Sequence, residues 1–206
     1  MSIAALSNFT VPLASDQSAS SQGMLMPKLQ YRFRVTLENF GVSTPRTELT
    51  KQVSEAFRPS VEFEDQSIMV YNSTIHYAGR PKWASGSLKV RDDQTGQVTK
   101  LVGEQMQKQF DFFEQSSTSA GDYKFTMRIE MLDGGNGSNA PTVLETWEVY
   151  GCYVQKVNYG TLAYKEQAPM IIDLTIQMDN AVQTSGGSFG AANSVQTNKS
   201  VNVIGS

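Results

Sequence analysis

The chain has 206 residues, of which 39% are hydrophobic and 18% charged, with a formal net charge of −3, one histidine and one cysteine. That length supports one domain with long ends, and the slightly acidic balance excludes a protein that grips nucleic acid through overall charge, which needs clustered Lys and Arg. The lone Cys152 excludes an intramolecular disulfide, and the absence of a charged segment before an apolar run predicts no signal peptide.

Residues 1–26, rich in Ser, Ala and Gln, read as an extended arm. From Lys28 to Glu38, Leu29, Tyr31, Phe33, Val35 and Leu37 alternate with polar residues, which predicts a half-buried strand. Gly41 to Pro59 reads as a loop or short helix. Alternation resumes at Val61 and again at Met69, Tyr71, Ile75 and Tyr77, and Gly79-Arg80-Pro81 predicts a turn. The strand from Trp83 to Arg91 places Ala84, Gly86, Leu88 and Val90 on one face. Asp92 or Asp93 is the expected N-cap of a helix over Gln97 to Gln115. Its apolar stripe is Val98, Leu101, Val102, Met106, Phe110 and Phe113.

Tyr123 to Met131 alternates again, and Asp133 to Asn139 reads as a flexible hairpin connection. The returning strand spans about Val143 to Val157, with Trp147, Val149 and Tyr153 expected on one face and Gly151 marking a bulge or a close approach. Met170 to Met178 alternates as the last strand. It is broken by Asp173 and Gln177 and is too short to cross a bilayer, so no membrane anchor is expected. Residues 181–206 form a second low-complexity arm, leaving 27–180 as the domain. The sum is six or so strands and one helix. One helix cannot cover two sheet faces, so the fold class is mainly β, a β-sandwich or barrel with one flanking α-helix.

No constellation points to catalysis, a metal or a cofactor. His76 and Cys152 lack an orienting third group and lie in strand patterns. Asp92-Asp93 fits a cap better than a metal site, and the Asp133 loop lacks the alternating acids and closing Glu of a calcium site. Arg32 and Arg34 alternate away from Tyr31 and Phe33, so the aromatics are expected to face the core rather than stack on bases. A β-barrel that binds nucleic acid is the runner-up from a different class, and an enzyme ranks last.

Several segments in extended order carry a resemblance: Arg58-Pro59-Ser60-Val61-Glu62-Phe63-Glu64, Tyr71-Asn72-Ser73, Tyr77-Ala78-Gly79, Trp83, Leu88-Lys89-Val90-Arg91-Asp92-Asp93, Val98-Thr99-Lys100-Leu101-Val102, Gln105-Met106-Gln107-Lys108-Gln109, Tyr123-Lys124-Phe125, Glu145-Thr146-Trp147, Gly151-Cys152 and Asp179-Asn180. Together they resemble the tail tube proteins of contractile-tailed bacteriophages. The resemblance implies a virion protein whose homo-hexameric rings stack into a tube inside a sheath, assembled in the host cytoplasm. Implied partners are the sheath, tape measure, baseplate and neck or terminator proteins, with viral DNA passing through the lumen without specific binding. A tube initiator or terminator, or the tube of a related contractile injection system, fits the same pattern.

A conduit for DNA should repel phosphate, because Lys and Arg would hold it. The lumen candidates are therefore Asp173, Thr175, Gln177 and Asp179, with Glu62 and Glu64. On the helix, Lys100, Glu104 and Lys108 are candidates for subunit or sheath contact. If the lumen assignment holds, changing Asp173 and Asp179 to Lys leaves rings intact and slows DNA passage; unchanged ejection kinetics would refute it.

Overall fold

The structure, a computed structural model, describes residues 28–44, 47–133, 140–165 and 167–185. The expected N-terminal arm, the 134–139 connection and the C-terminal arm beyond residue 185 lie outside them. In chain order the elements are β1 (Phe33–Glu38), α1 (Thr47–Gln52), β2 (Val53–Ala56), β3 (Val61–Val70), β4 (Ser73–Trp83), β5 (Gly86–Arg91), α2 (Gln97–Gln109), β6 (Phe110–Asp111), β7 (Ser116–Ser117), α3 (Ala120–Tyr123), β8 (Phe125–Leu132), β9 (Val143–Asn158), β10 (Ile171–Gln177) and β11 (Asn180–Ser185). The first strand thus begins at Phe33 rather than Lys28, and β11 continues past residue 180.

Seven strands form one antiparallel sheet in the order β1-β8-β9-β10-β5-β2, with β11 also paired to β9. The 16-residue β9 holds it together. Its first part pairs with β8 along one edge and with β11 along the other, and its last part, Tyr153 to Asn158, pairs with β10. Val35, Leu37, Met127, Ile129 and Val149 from one half of the sheet share a single core with Leu88, Val90, Val154, Ile172, Leu174 and Ile176 from the other. The sheet therefore folds over itself as a sandwich. Each of these fully buried aliphatic side chains contributes about 1.5–3 kcal/mol.

The fold-over is made at Gly151. Register passes from Phe125 opposite Cys152 to Met127 opposite Val149, so Tyr150 and Gly151 together oppose Thr126. This bulge shifts the alternation by one residue. Trp147 and Val149 point inward before it, and Cys152 and Val154 after it. Tyr153, expected on the face of Trp147, is only partly buried and meets Tyr123 edge to face at 6.5 Å. Gly151 has φ +64, and a Cβ there would lie 2.2 Å from Asp179 Oδ2. The close approach expected at this glycine is therefore to the Asp179 carboxylate.

Helix α2 differs from expectation at both ends. Gly96, in the left-handed region, takes the N-cap position instead of Asp92 or Asp93. The two acids still brace the entry: Gln97 N–H and the Thr95 hydroxyl donate to Asp93, and the Thr99 hydroxyl donates to Asp92. The helix stops at Gln109, so Phe110 and Phe113 are not part of the buried stripe of Val98, Leu101 and Val102. The cause is local. Phe113 and Glu114 N–H groups donate to the Asp111 carboxylate, which offers the backbone an alternative to helix.

Two glutamines on α2 do the work of missing strands. Val154 N–H donates to Gln109 Oε1, and Gln109 Nε2 donates to the Val154 carbonyl, both at 2.9 Å, just beyond the start of β8, where Phe125 faces Cys152. Gln105, fully buried, accepts from Gly41 N–H and donates to the Tyr123 carbonyl. Buried backbone groups left without such partners cost about 1–3 kcal/mol each.

Gly151→Ala should lower the free energy of unfolding by about 1–3 kcal/mol, because the left-handed backbone and the carboxylate contact both resist a side chain. Gly103→Ala, inside α2 and facing open space, should instead stabilise by about 0.5–1 kcal/mol. Urea titration of the two variants checks the contrast.

Candidate assembly surface

β3 and β4 form a separate two-stranded hairpin. Glycine and proline within it predicted a turn at 79–81, but the strand runs straight through. Phe63 lies opposite Pro81 and Asp65 opposite Ala78, so Gly79 and Arg80 form a bulge across from Glu64. A Cβ on Gly79 would sit 2.8 Å from the Glu64 carbonyl oxygen, which is why glycine stands there. Pro81 is tolerated because β4 is an edge strand that needs no ladder donor on its open side. The true turn is Tyr71-Asn72, with Tyr71 at φ 48 and almost fully exposed.

Beyond its base the hairpin is exposed on both faces. Phe63, Ile68, Met69, Val70, Tyr71, Ile75 and Tyr77 are all large apolar side chains open to solvent. A two-stranded hairpin on its own is marginally stable in water, and clustered exposed apolar residues mark an interaction surface. Sequence alternation found these strands but could not separate burial inside one chain from burial between chains. Other exposed apolar residues are Phe112 and Phe113 beside β6, and Leu162, Tyr164, Met170 and Ile171 around the β9–β10 connection.

The lumen candidates fall in three places. Asp173, Thr175 and Gln177 share the outward face of β10. Asp173 accepts from the Ser87 hydroxyl at 2.6 Å and lies across from Lys89 and Asn158; Thr175 lies between Ser87 and Lys156. Lys89 itself pairs with Glu55 at 2.7 Å. Gln177 donates to the Trp83 carbonyl. Asp179 sits at the bend, 2.5 Å from Lys124 Nζ, so a lysine there would oppose Lys124 and disturb the fold. Asp173 alone is the clean probe of that face. Glu62 and Glu64 lie exposed near the hairpin base.

The helix candidates divide likewise. Val42 and Ser43 N–H groups and the Ser43 hydroxyl donate to Glu104. The Ser43 hydroxyl first, then the backbone N–H groups, hold its carboxyl down at about 2. Lys108 Nζ donates to the Asn39 carbonyl and side chain and to the Gly41 carbonyl. Both residues fasten the loop after β1 onto α2. Lys100, 59% exposed and 3.9 Å from Glu104, is the most open of the three.

The two residues weighed as a nucleophile and base occupy different environments. Cys152 is buried, and burial pushes its thiol up to about 12. His76 is exposed on the hairpin, 2.9 Å from Asp65. Among the described residues, no group of three or more His, Cys, Asp or Glu is placed to hold a metal, and no helix is long and apolar enough to cross a membrane.

No protein-family model and no curated protein matches the chain. Solved structures do. A chain of the anti-feeding prophage baseplate, 6-fold symmetrised, matches with a TM-score of 0.57 and 14% identity, over 79% of this chain and 99% of that one. The anti-feeding prophage tube-terminating cap matches at 0.55 and 13%, over 85% and 99%. The sheath–tube complex of an extracellular contractile injection system, PVC, in the extended state matches at 0.52 and 13%, over 77% and 92%. The chain therefore has the fold found in tube and tube-terminating proteins of contractile injection systems.

Because its carboxyl is depressed in the folded state, Glu104 adds stability above the ordinary glutamate range that is lost as pH falls through about 2. Glu104→Gln should remove that contribution, costing about 1–2 kcal/mol at neutral pH and flattening the acid limb of the stability curve below about pH 4.5. Thermal melts across pH 2–7 decide it; parallel curves would mean that the loop clamp does not depend on charge.

Proposed function

We propose that the chain is a structural, non-enzymatic subunit of the inner tube of a contractile phage tail, forming hexameric rings that stack into a conduit for DNA ejection. The observation that carries this is a projecting hairpin on a tube-type fold: β3 and β4 expose apolar side chains that the other described residues leave open. Further copies of the chain are the simplest cover. Closing strands from copy to copy in a ring also removes sheet edges that would otherwise invite uncontrolled pairing.

In this reading the sheath surrounds the tube, with Lys100 as the open helix residue for subunit or sheath contact. The tape measure, baseplate and neck proteins set the tube's length and ends. The polar outward face of β10, with Asp173 and Thr175, is offered to the channel, and DNA passes it without specific binding. The protein then resides in the tail, after assembly in the host cytoplasm.

An end piece of the tube is the second reading. It is favoured by the similarity to a baseplate chain and to a terminating cap. The purified chain, viewed by negative-stain electron microscopy, should form rings with a central opening that stack into tubes. Single rings that never stack support the end piece. A monomer that binds DNA in low salt would replace both readings with a nucleic-acid-binding barrel.

A further inference from the structure

The register of the hairpin assigns each side chain to a face. Beyond the bulge, Gln66 opposes Tyr77, Ile68 opposes Ile75 and Val70 opposes Ser73. These pairs share one face. Asp65 with Ala78, Ser67 with His76, and Met69 with Thr74 share the other. The first face is apolar, with Ile68, Val70, Ile75 and Tyr77 each about half exposed. The second is mainly polar and carries the His76–Asp65 pair.

At the base the polarity is reversed. By alternation along β3, Val61 and Phe63, with their partners Trp83 and Pro81, continue the face of Asp65, while Glu62 and Lys82 continue the face of Ile68. Trp83 packs against the domain's own core. At the base, Trp83 thus turns inward to its own domain while Phe63 beside it stays exposed, and the distal half turns its apolar face the opposite way. The Gly79–Arg80 bulge separates the two halves.

We propose that the distal face of Ile68, Val70, Ile75 and Tyr77 is a contact surface for a second copy of the chain, and that the Ser67, Met69, Thr74 and His76 face is left uncovered. This rests on the reading of the chain as a self-assembling subunit. The occupant follows from area. Four half-exposed large side chains on one face approach the roughly 300–600 Å² at which patches on monomers mark interaction sites. They fall short of the ~800 Å² per partner of a standard interface, so a separate partner held here alone would be held weakly. A second copy is not so limited. In a head-to-tail ring each copy donates one hairpin and receives another, which doubles the burial per copy. Leu162, Tyr164, Met170 and Ile171 give the same chain an exposed apolar surface to receive it.

The test substitutes one cross-strand pair on each face with an ion pair, so that the hairpin itself is retained. Ile68→Lys with Ile75→Glu changes the apolar face, and Met69→Lys with Thr74→Glu changes the other. Neither pair belongs to the core, so both variants should keep wild-type far-UV circular dichroism and thermal melting. Assembly is followed by sedimentation against concentration. The apolar-face variant should need at least about a 10-fold higher concentration to assemble, while the other variant follows wild type. Equal effects of the two variants, or loss only in the Met69/Thr74 variant, overturn the face assignment and leave self-assembly standing. A wild-type chain that stays monomeric throughout overturns both.

Discussion

The fold turns on a single crowded point where two strands change direction together. At Gly151, β9 takes on one extra residue and a left-handed backbone, and the chain between β10 and β11 brings Asp179 against it. Lys124, at the start of β8, pairs with that carboxylate. The bulge at this glycine thus keeps both parts of β9 turned to the core, with the Lys124–Asp179 pair packed beside it. The core depends on this, because residues on both sides of the bend must point inward. An uninterrupted strand would send Cys152 and Val154 to the outside.

Much of this was legible in the residues. Alternation located β1, β5, β8 and β10 and identified their buried faces, with Val35, Leu37, Leu88, Val90, Ile172, Leu174 and Ile176 all inside. Helical spacing found Val98, Leu101 and Val102. What alternation could not carry was any inserted residue. The bulge at Gly151 misplaced Tyr153, and the bulge at Gly79–Arg80 read as a turn because the same residue types serve both. The end of α2 was misread because the stripe continues in sequence through Phe113, while the Asp111 carboxylate draws the backbone away.

The candidate assembly surface was legible only in part. The apolar residues of β3 and β4 were visible as strand residues, but a period of two reports that one face is covered, not by what. The lumen candidates were chosen as acidic or neutral polar residues, and polarity alone did not reveal that Asp179 is committed to Lys124 or that Asp173 lies among Ser87, Lys89 and Asn158. Likewise Glu104 and Lys108 looked like surface charges on a helix, yet they tie down the loop that follows β1. Long polar side chains near a neighbouring loop are often claimed by its backbone.

The carboxamide of Gln109 has a further consequence. Beyond the start of β8, the next stretch of β9 would present an open N–H and C=O to any passing extended chain, and open edges of this kind are where β-rich proteins aggregate during synthesis. A side chain delivered by a helix fills that place at Val154 without being a strand, so it presents no new strand edge of its own. At Val154 the open edge of β9 is thereby closed to a stray strand.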